Sequence, residues 1–330
     1  MTHHAVRLIR RLQLGGASVL FAIALASPAA ASREIDSFTL RMENDAPAGT
    51  DSRYTAGTEF AFAYAPWSKA NDNARYHNTL SLGQLIFTPE NLDEIDIVLH
   101  DRPYAGWSYL RYGQHRSHDD SIQSWQLTLG LVGPSSFAED IQRAVHELID
   151  DRMPLGWHNQ LSDEFGYALE RSRSKVRFRW QLGDERSLQL SESSRISIGN
   201  IDSSLSQGFQ IRVGKRLQGS HAPDRLGAPA AYVDSAKAYT QTPTQFRPQR
   251  FYWVLGGKMS YVAQNLFLDG NANGQSHSVT RNPWVQEVES GFAYSKPGFK
   301  VSFLLVYRSE EFREQTGGQI FGSLSLTFRR

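Results

Sequence analysis

Along this chain of 330 residues, apolar and polar side chains alternate again and again in runs of roughly ten. Val176, Phe178, Trp180 and Leu182 alternate with Lys175, Arg177, Arg179 and Gln181. Trp125, Leu127, Leu129 and Leu131 alternate with Gln126, Thr128 and Gly130. The pattern returns at Phe299, Val301, Phe303, Leu305 and Tyr307, and again at Leu324, Leu326 and Phe328. A period of two puts successive side chains on opposite faces of a strand, so each run has one apolar face and one polar face. A soluble sandwich buries its apolar face and has little use for long strands with so many aromatic ends. Long strands of this kind fit a closed, all-β, antiparallel transmembrane barrel, apolar toward lipid and polar toward the lumen.

The N-terminus agrees with that destination. Arg7, Arg10 and Arg11 precede an apolar run at about residues 14–26, and Ala29-Ala30-Ala31 offers a cleavage site before Ser32. This is the pattern of a Sec-type signal peptide over residues 1–31, leaving residues 32–330 as an exported barrel domain. No later run is long and apolar enough for a membrane-spanning helix. The absence of cysteine removes disulfide and thiol chemistry, and a net charge of +1 gives no reason to expect a nucleic-acid partner.

Twelve strands are expected, centred on residues 37–44, 56–65, 78–88, 105–115, 122–132, 164–182, 186–198, 207–215, 250–263, 283–296, 298–308 and 318–328. An even number suits a single-chain barrel with both termini in the periplasm. By that parity the long connection over residues 217–250 lies on the periplasmic side, where turns are normally short.

The same parity gathers the unusual polar clusters at the extracellular rim. Glu43-Asn44-Asp45 closes the first strand and Thr50-Asp51-Ser52-Arg53-Tyr54-Thr55-Ala56-Gly57 opens the second. Asp101-Arg102-Pro103-Tyr104-Ala105-Gly106-Trp107 opens the fourth. Between the fifth and sixth strands the spacing predicts a short helix. Ser136 and Glu139 have the spacing of a capping box, and Ile141, Ala144, Val145 and Leu148 form one apolar stripe. The helix is expected to pack by that stripe, presenting Gln142 and His146 on its flank. Gly156-Trp157-His158-Asn159-Gln160 follows. Arg102 reads as a rim salt bridge, Trp107 and Trp157 as interfacial anchors, and His158 as a bystander.

The ordered set Asn44-Asp45, Tyr54-Thr55-x-Gly57, Asp101-Arg102-Pro103-Tyr104-Ala105-Gly106, Gln142-x-x-x-His146 and Gly156-Trp157-x-Asn159-Gln160 resembles the lipid A 3′-O-deacylase family of Gram-negative outer membranes. The resemblance implies a Ca²⁺-dependent carboxylic ester hydrolase working on lipopolysaccharide in the outer leaflet, with no obligate protein partner. It makes His146 the general base, Asp45 the calcium ligand with Asn44 beside it, and Thr55 and Gln142 the remaining wall of the site. Some members also carry a Lys after the third strand and a Tyr before the Gly-Trp motif. Here those stretches read Pro89-Glu90-Asn91-Leu92-Asp93-Glu94 and Arg152-Met153-Pro154, so headgroup recognition is expected to differ.

The chemistry is coherent. Ester hydrolysis needs an activated water and a stabilised oxyanion. An imidazole supplies the first, and a hard cation held by carboxylate and carbonyl oxygens can polarise the ester carbonyl. Two other readings compete. A serine-based barrel phospholipase needs a Ser beside a His on the outer wall, and the nearest pair, His115 with Ser117, falls toward the periplasmic end. A passive channel or structural barrel needs an open lumen, which Arg177, Arg179, Arg212, Glu287 and Glu289 are expected to fill.

Overall fold

Strand alternation becomes wall geometry in the computed structural model, which describes residues 35–45, 53–64, 74–118, 120–217, 225–226 and 249–329. The expected signal peptide and Thr50-Asp51-Ser52 lie outside the described residues. Twelve antiparallel strands close on themselves, the first pairing with the last. They are β1 (Ile35–Asn44), β2 (Arg53–Tyr64), β3 (Arg75–Thr88), β4 (Ala105–His118), β5 (Ser121–Val132) and β6 (Glu164–Gln181). The second half holds β7 (Arg186–Gly199), β8 (Asp202–Lys215), β9 (Arg250–Asn265), β10 (Trp284–Lys296), β11 (Phe299–Arg308) and β12 (Gln319–Arg329). Among the described residues two α-helices sit in the connections, α1 (Ala138–Ile149) after β5 and α2 (Leu266–Asp269) after β9. None of the described helices is long and apolar enough to cross a membrane, so any crossing is by strands.

The sequence expectation holds for strand number and closely for boundaries. β2, β3 and β8 begin earlier than expected, at Arg53, Arg75 and Asp202. Arg53 has a positive φ and the register shifts between Tyr54 and Ala56, so the apolar alternation is broken where β2 starts. β8 opens on Asp202, Ser203 and Ser204, which carry no apolar signal.

Alternation sorts the wall cleanly. On β4, Trp107, Tyr109 and Arg111 are buried in the lumen while Leu110 is exposed on the outside. The lumen is packed with paired charge: Glu59 binds Arg41, Arg111 at 2.9 Å and the Tyr109 hydroxyl at 2.9 Å. Arg212 donates to Gln189 at 2.6 Å. Toward the far rim, opposite the start of β1 and the end of β12, α2 sends Phe267 onto Phe87 at 4.4 Å between ring centres.

The long connection between β8 and β9 contributes to this filling. Arg225 lies among Glu287 at 2.7 Å, Glu289 at 3.0 Å and Glu43 at 3.6 Å. The Leu226 amide donates to Glu43 at 3.1 Å. Arg212, Glu287 and Glu289 therefore occupy the interior as expected. Arg177 does not: it sits at a register shift in β6 and pairs with Glu192, whose neighbour across the next strand is the exposed Phe209.

Candidate active site

All the rim motifs gather at one end because odd-to-even connections share it. The decisive placement is that of α1. Its start is bound to the outer face of the wall, not to the lumen. The Ser136 carbonyl accepts from Gln84 of β3 at 2.8 Å and from Ser108 of β4 at 2.7 Å. Both are outward positions, flanked along β4 by the inward Trp107 and Tyr109. Gly106 makes the docking possible, since a Cβ there would lie 2.1 Å from the Ala138 Cβ and 2.2 Å from the Ser136 hydroxyl. Under the helix, Ile86, Leu92, Tyr104, Ala138 and Trp157 form a small apolar cluster with Ala56 of β2 at its edge.

The helix packs by a different face from the one its apolar stripe predicts. Gln142 and His146 are 3% and 5% exposed, whereas Ile141, Val145 and Leu148 are 46%, 48% and 74% exposed. Ala138, Gln142 and His146 recur at i, i+4 and i+8, one line along the helix, and that line is what meets the wall. The expected capping box is also absent. Phe137 is the cap residue, in a left-handed conformation, and makes no side-chain cap bond; the Ser136 hydroxyl accepts only a long 3.4 Å bond from the Ala138 amide. The Ser136 hydroxyl donates to the Gly133 carbonyl at 2.6 Å, and Glu139 pairs with Arg143 at 2.9 Å rather than reaching back to the cap.

His146 is held by its Nδ1, which bonds the Arg152 carbonyl. A carbonyl only accepts, so Nδ1 carries the proton and the neutral ring has its lone pair on Nε2. Gln142 is held by Trp157, whose Nε1 donates to Oε1 at 2.8 Å. That bond fixes which end of the amide is oxygen and leaves Nε2 as a buried donor with no hydrogen-bond partner among the described residues. Trp157 is fully buried, with its ring 5.1 Å from that of Tyr104. It is thus no interfacial anchor, and neither is Trp107, which points into the lumen beside Tyr109. His158 is exposed.

At the β1–β2 end, Asn44 donates from Nδ2 to the Thr55 carbonyl at 3.1 Å, and the Asp45 amide reaches the same carbonyl at 3.4 Å. Thr55 occupies the register shift in β2, and its hydroxyl shares a hydrogen with that of Thr88 at 2.7 Å. Asp45 and Thr55 are both buried. Thr55 is linked to the helix side of the site through its neighbour Ala56, which abuts the cluster holding Trp157. Arg102 is the rim ion pair that the motif suggested, fully buried at 3.2 Å from Glu311 and stacked 4.6 Å over Phe87. Burial lowers its pKa from the usual guanidinium value, against the pull of Glu311.

Residues 17–330 match the family described as outer membrane protein LpxR. The chain belongs to the LpxR family. LpxR from Salmonella typhimurium has the same fold, with a TM-score of 0.73 at 16% identity, covering 89% of this chain and 100% of that one. The beta domain of the Bordetella autotransporter BrkA is a more distant barrel, with a TM-score of 0.46 at 9% identity over 90% of this chain and 100% of that one. A search of curated proteins finds no match. In this LpxR-family chain, the polar outer-wall positions Gln84, Ser108 and Thr88 explain themselves. Gln84 and Ser108 hold the Ser136 carbonyl just before α1, and Thr88 meets Thr55 at the β2 register shift, where a bare barrel wall would face lipid.

Two contacts escaped the sequence reading. The Arg152 carbonyl that orients His146 is backbone, and residue type does not announce it. The Trp157–Gln142 bond joins two motifs read separately, and a fully buried indole N–H needing an acceptor was its available signal.

Proposed function

We propose that this protein is an outer-membrane lipid A 3′-O-deacylase, hydrolysing the ester that carries the 3′ acyl group. The observation that supports it best is the pair on the wall-facing line of α1. There an imidazole with its proton fixed on Nδ1 lies one turn from an amide whose N–H end has no hydrogen-bond partner. Both lie on the outside of the barrel, where a lipid can approach without entering the lumen.

His146 would take a proton from water at Nε2 as the water oxygen adds to the ester carbonyl carbon. The carbonyl oxygen becomes an oxyanion, and the Gln142 amide can donate to it. Collapse breaks the bond to the sugar oxygen, which leaves with the proton that His146 returns. The products are a free fatty acid and a 3′-hydroxyl.

Among the described residues no three acidic or histidine side chains gather as a metal cluster. The oxygen donors at the β1 end are of another kind: the buried carboxylate of Asp45, beside the Asn44 amide, whose Nδ2 is committed to Thr55. Hard neutral and anionic oxygens suit Ca²⁺ rather than zinc, so Asp45 and Asn44 would hold it. When bound, Ca²⁺ would supply positive charge to polarise the ester carbonyl.

The rival readings find less support. His115 is buried in the lumen between Ser124 at 2.8 Å and Thr79 at 2.9 Å, away from any lipid-facing surface. Arg225 and its carboxylates obstruct a channel. Purified protein, calcium and lipopolysaccharide form the test, with the product weighed by mass spectrometry. Lipid A should become lighter by one ester-linked 3′ acyl unit, with amide-linked chains kept. Release of lysophospholipid alone, from added glycerophospholipid, would sink the substrate assignment.

A further inference from the structure

The overturned packing of α1 leaves a surface to explain. At about 100° per residue, three faces can be separated on this helix. Gln142 marks the wall-facing line, Ile141, Val145 and Leu148 lie on one flank, and Asp140, Arg143 and Glu147 lie on the other. A helix whose wall contact is polar and whose large aliphatic residues are bare is unusual in water, where that flank would seek burial. On a lipid surface it is the ordinary arrangement, apolar flank among acyl chains and charged flank among headgroups.

We propose that α1 is an interfacial helix, its Ile141–Val145–Leu148 flank immersed in the acyl-chain region of the outer leaflet. Continuity with the barrel's own membrane surface argues for this occupant over a protein. The helix follows β5 after a short turn, and the outer face of that strand exposes Leu127, Leu129 and Leu131. The outer face of β4, on which the helix start rests, exposes Leu110. A second bare apolar strip lies beside the helix's C-terminal end. Ile95, Ile97 and Leu99 are exposed in the connection between β3 and β4. That connection is tied to the segment after α1 by the Leu155 amide on the Leu92 carbonyl at 2.9 Å and by Asn159 on the Ile95 carbonyl at 2.7 Å. Helix and loop thus extend the barrel's lipid-facing surface outward around the site.

The proposal rests on the barrel lying in a membrane, not on the deacylase reading, and its test involves no catalysis. The chain has no cysteine, so single substitutions carry a label cleanly. Nitroxides are placed at Ile141→Cys, Val145→Cys and Leu148→Cys, and for comparison at Asp140→Cys, Arg143→Cys and Glu147→Cys. Leu99→Cys serves as an independent site should a helix variant fail to show the heat-dependent gel shift of a folded barrel. Each is reconstituted in vesicles of phosphatidylethanolamine and phosphatidylglycerol and relaxed by lipid-soluble oxygen or by a water-soluble nickel chelate. The apolar-flank labels and that at Leu99 should collide severalfold more with oxygen than with nickel, and the charged-flank labels should do the reverse. Equal nickel access on both flanks of a folded barrel would overturn the proposal. Immersion without any lipid A hydrolysis would leave it standing and remove the enzymatic reading instead.

Discussion

Trp157 donates its indole N–H to the Gln142 side-chain oxygen at 2.8 Å, fixing the rotation of an amide on the wall-facing line of α1. The bond joins a loop motif to a helix motif and determines which atom of the Gln142 amide is left without a hydrogen-bond partner among the described residues. Trp157→Phe keeps the packing against Tyr104 but frees the amide to flip. We expect the rate constant to fall by about 10- to 100-fold, most of what losing one oxyanion donor costs, with little change in KM. An unchanged kcat would mean that the amide's orientation does not matter.

Replacing His146 by Gln or Ala should leave a folded, heat-modifiable barrel that hydrolyses almost nothing. Loss of a general base typically costs about two to four orders of magnitude, roughly 3–5 kcal/mol of barrier. Near-normal cleavage of lipid A by the folded variant would take His146 out of the mechanism.

Calcium dependence is checked at Asp45. Asp45→Asn keeps an oxygen at the position but removes its charge, so activity should drop and then partly recover as Ca²⁺ is raised. Chelation should silence the wild type. Full wild-type activity after thorough chelation would refute the assignment.

Gly106→Val tests the docking of α1 rather than the chemistry. The added carbons would overlap Ala138 and Ser136, so the helix must shift off the wall. Barrel assembly should persist, judged by the gel shift, while hydrolysis falls as steeply as in a catalytic variant. A displacement of about 1 Å is enough for a 100-fold loss. Normal activity would show that α1 need not sit where it does.

The fold was largely legible because a barrel wall repeats one rule, period two, in every strand. Where the rule lapses, at Arg53 and at Asp202-Ser203-Ser204, the expected boundaries drift. The rim placement of the motifs was legible from strand parity: Asn44, Asp45 and Thr55 at the β1–β2 end, and Gln142 and His146 on α1, all fall on odd-to-even connections or the strand ends beside them. What sequence misjudged was the direction in which α1 faces. Amphipathic patterns are read on the premise that water surrounds the protein, so Ile141, Val145 and Leu148 were assigned inward. On a wall already bordered by lipid that premise reverses, and the polar pair goes inward instead. The backbone grip of Arg152 on His146 lies outside any reading of side chains.

Arg225 reaches from the β8–β9 connection to Glu43 on the first strand and to Glu287 and Glu289 on the tenth. These anchors stand on either side of the β1–β12 seam, the junction that turns a curved sheet into a cylinder. A one-residue slip at that seam would send every side chain of β1 to the opposite face and carry Glu43 out of the guanidinium's reach, leaving a cation buried without a full set of counter-charges. The connection therefore acts as a gauge for closure, one that rewards a single alignment of the first strand against the last.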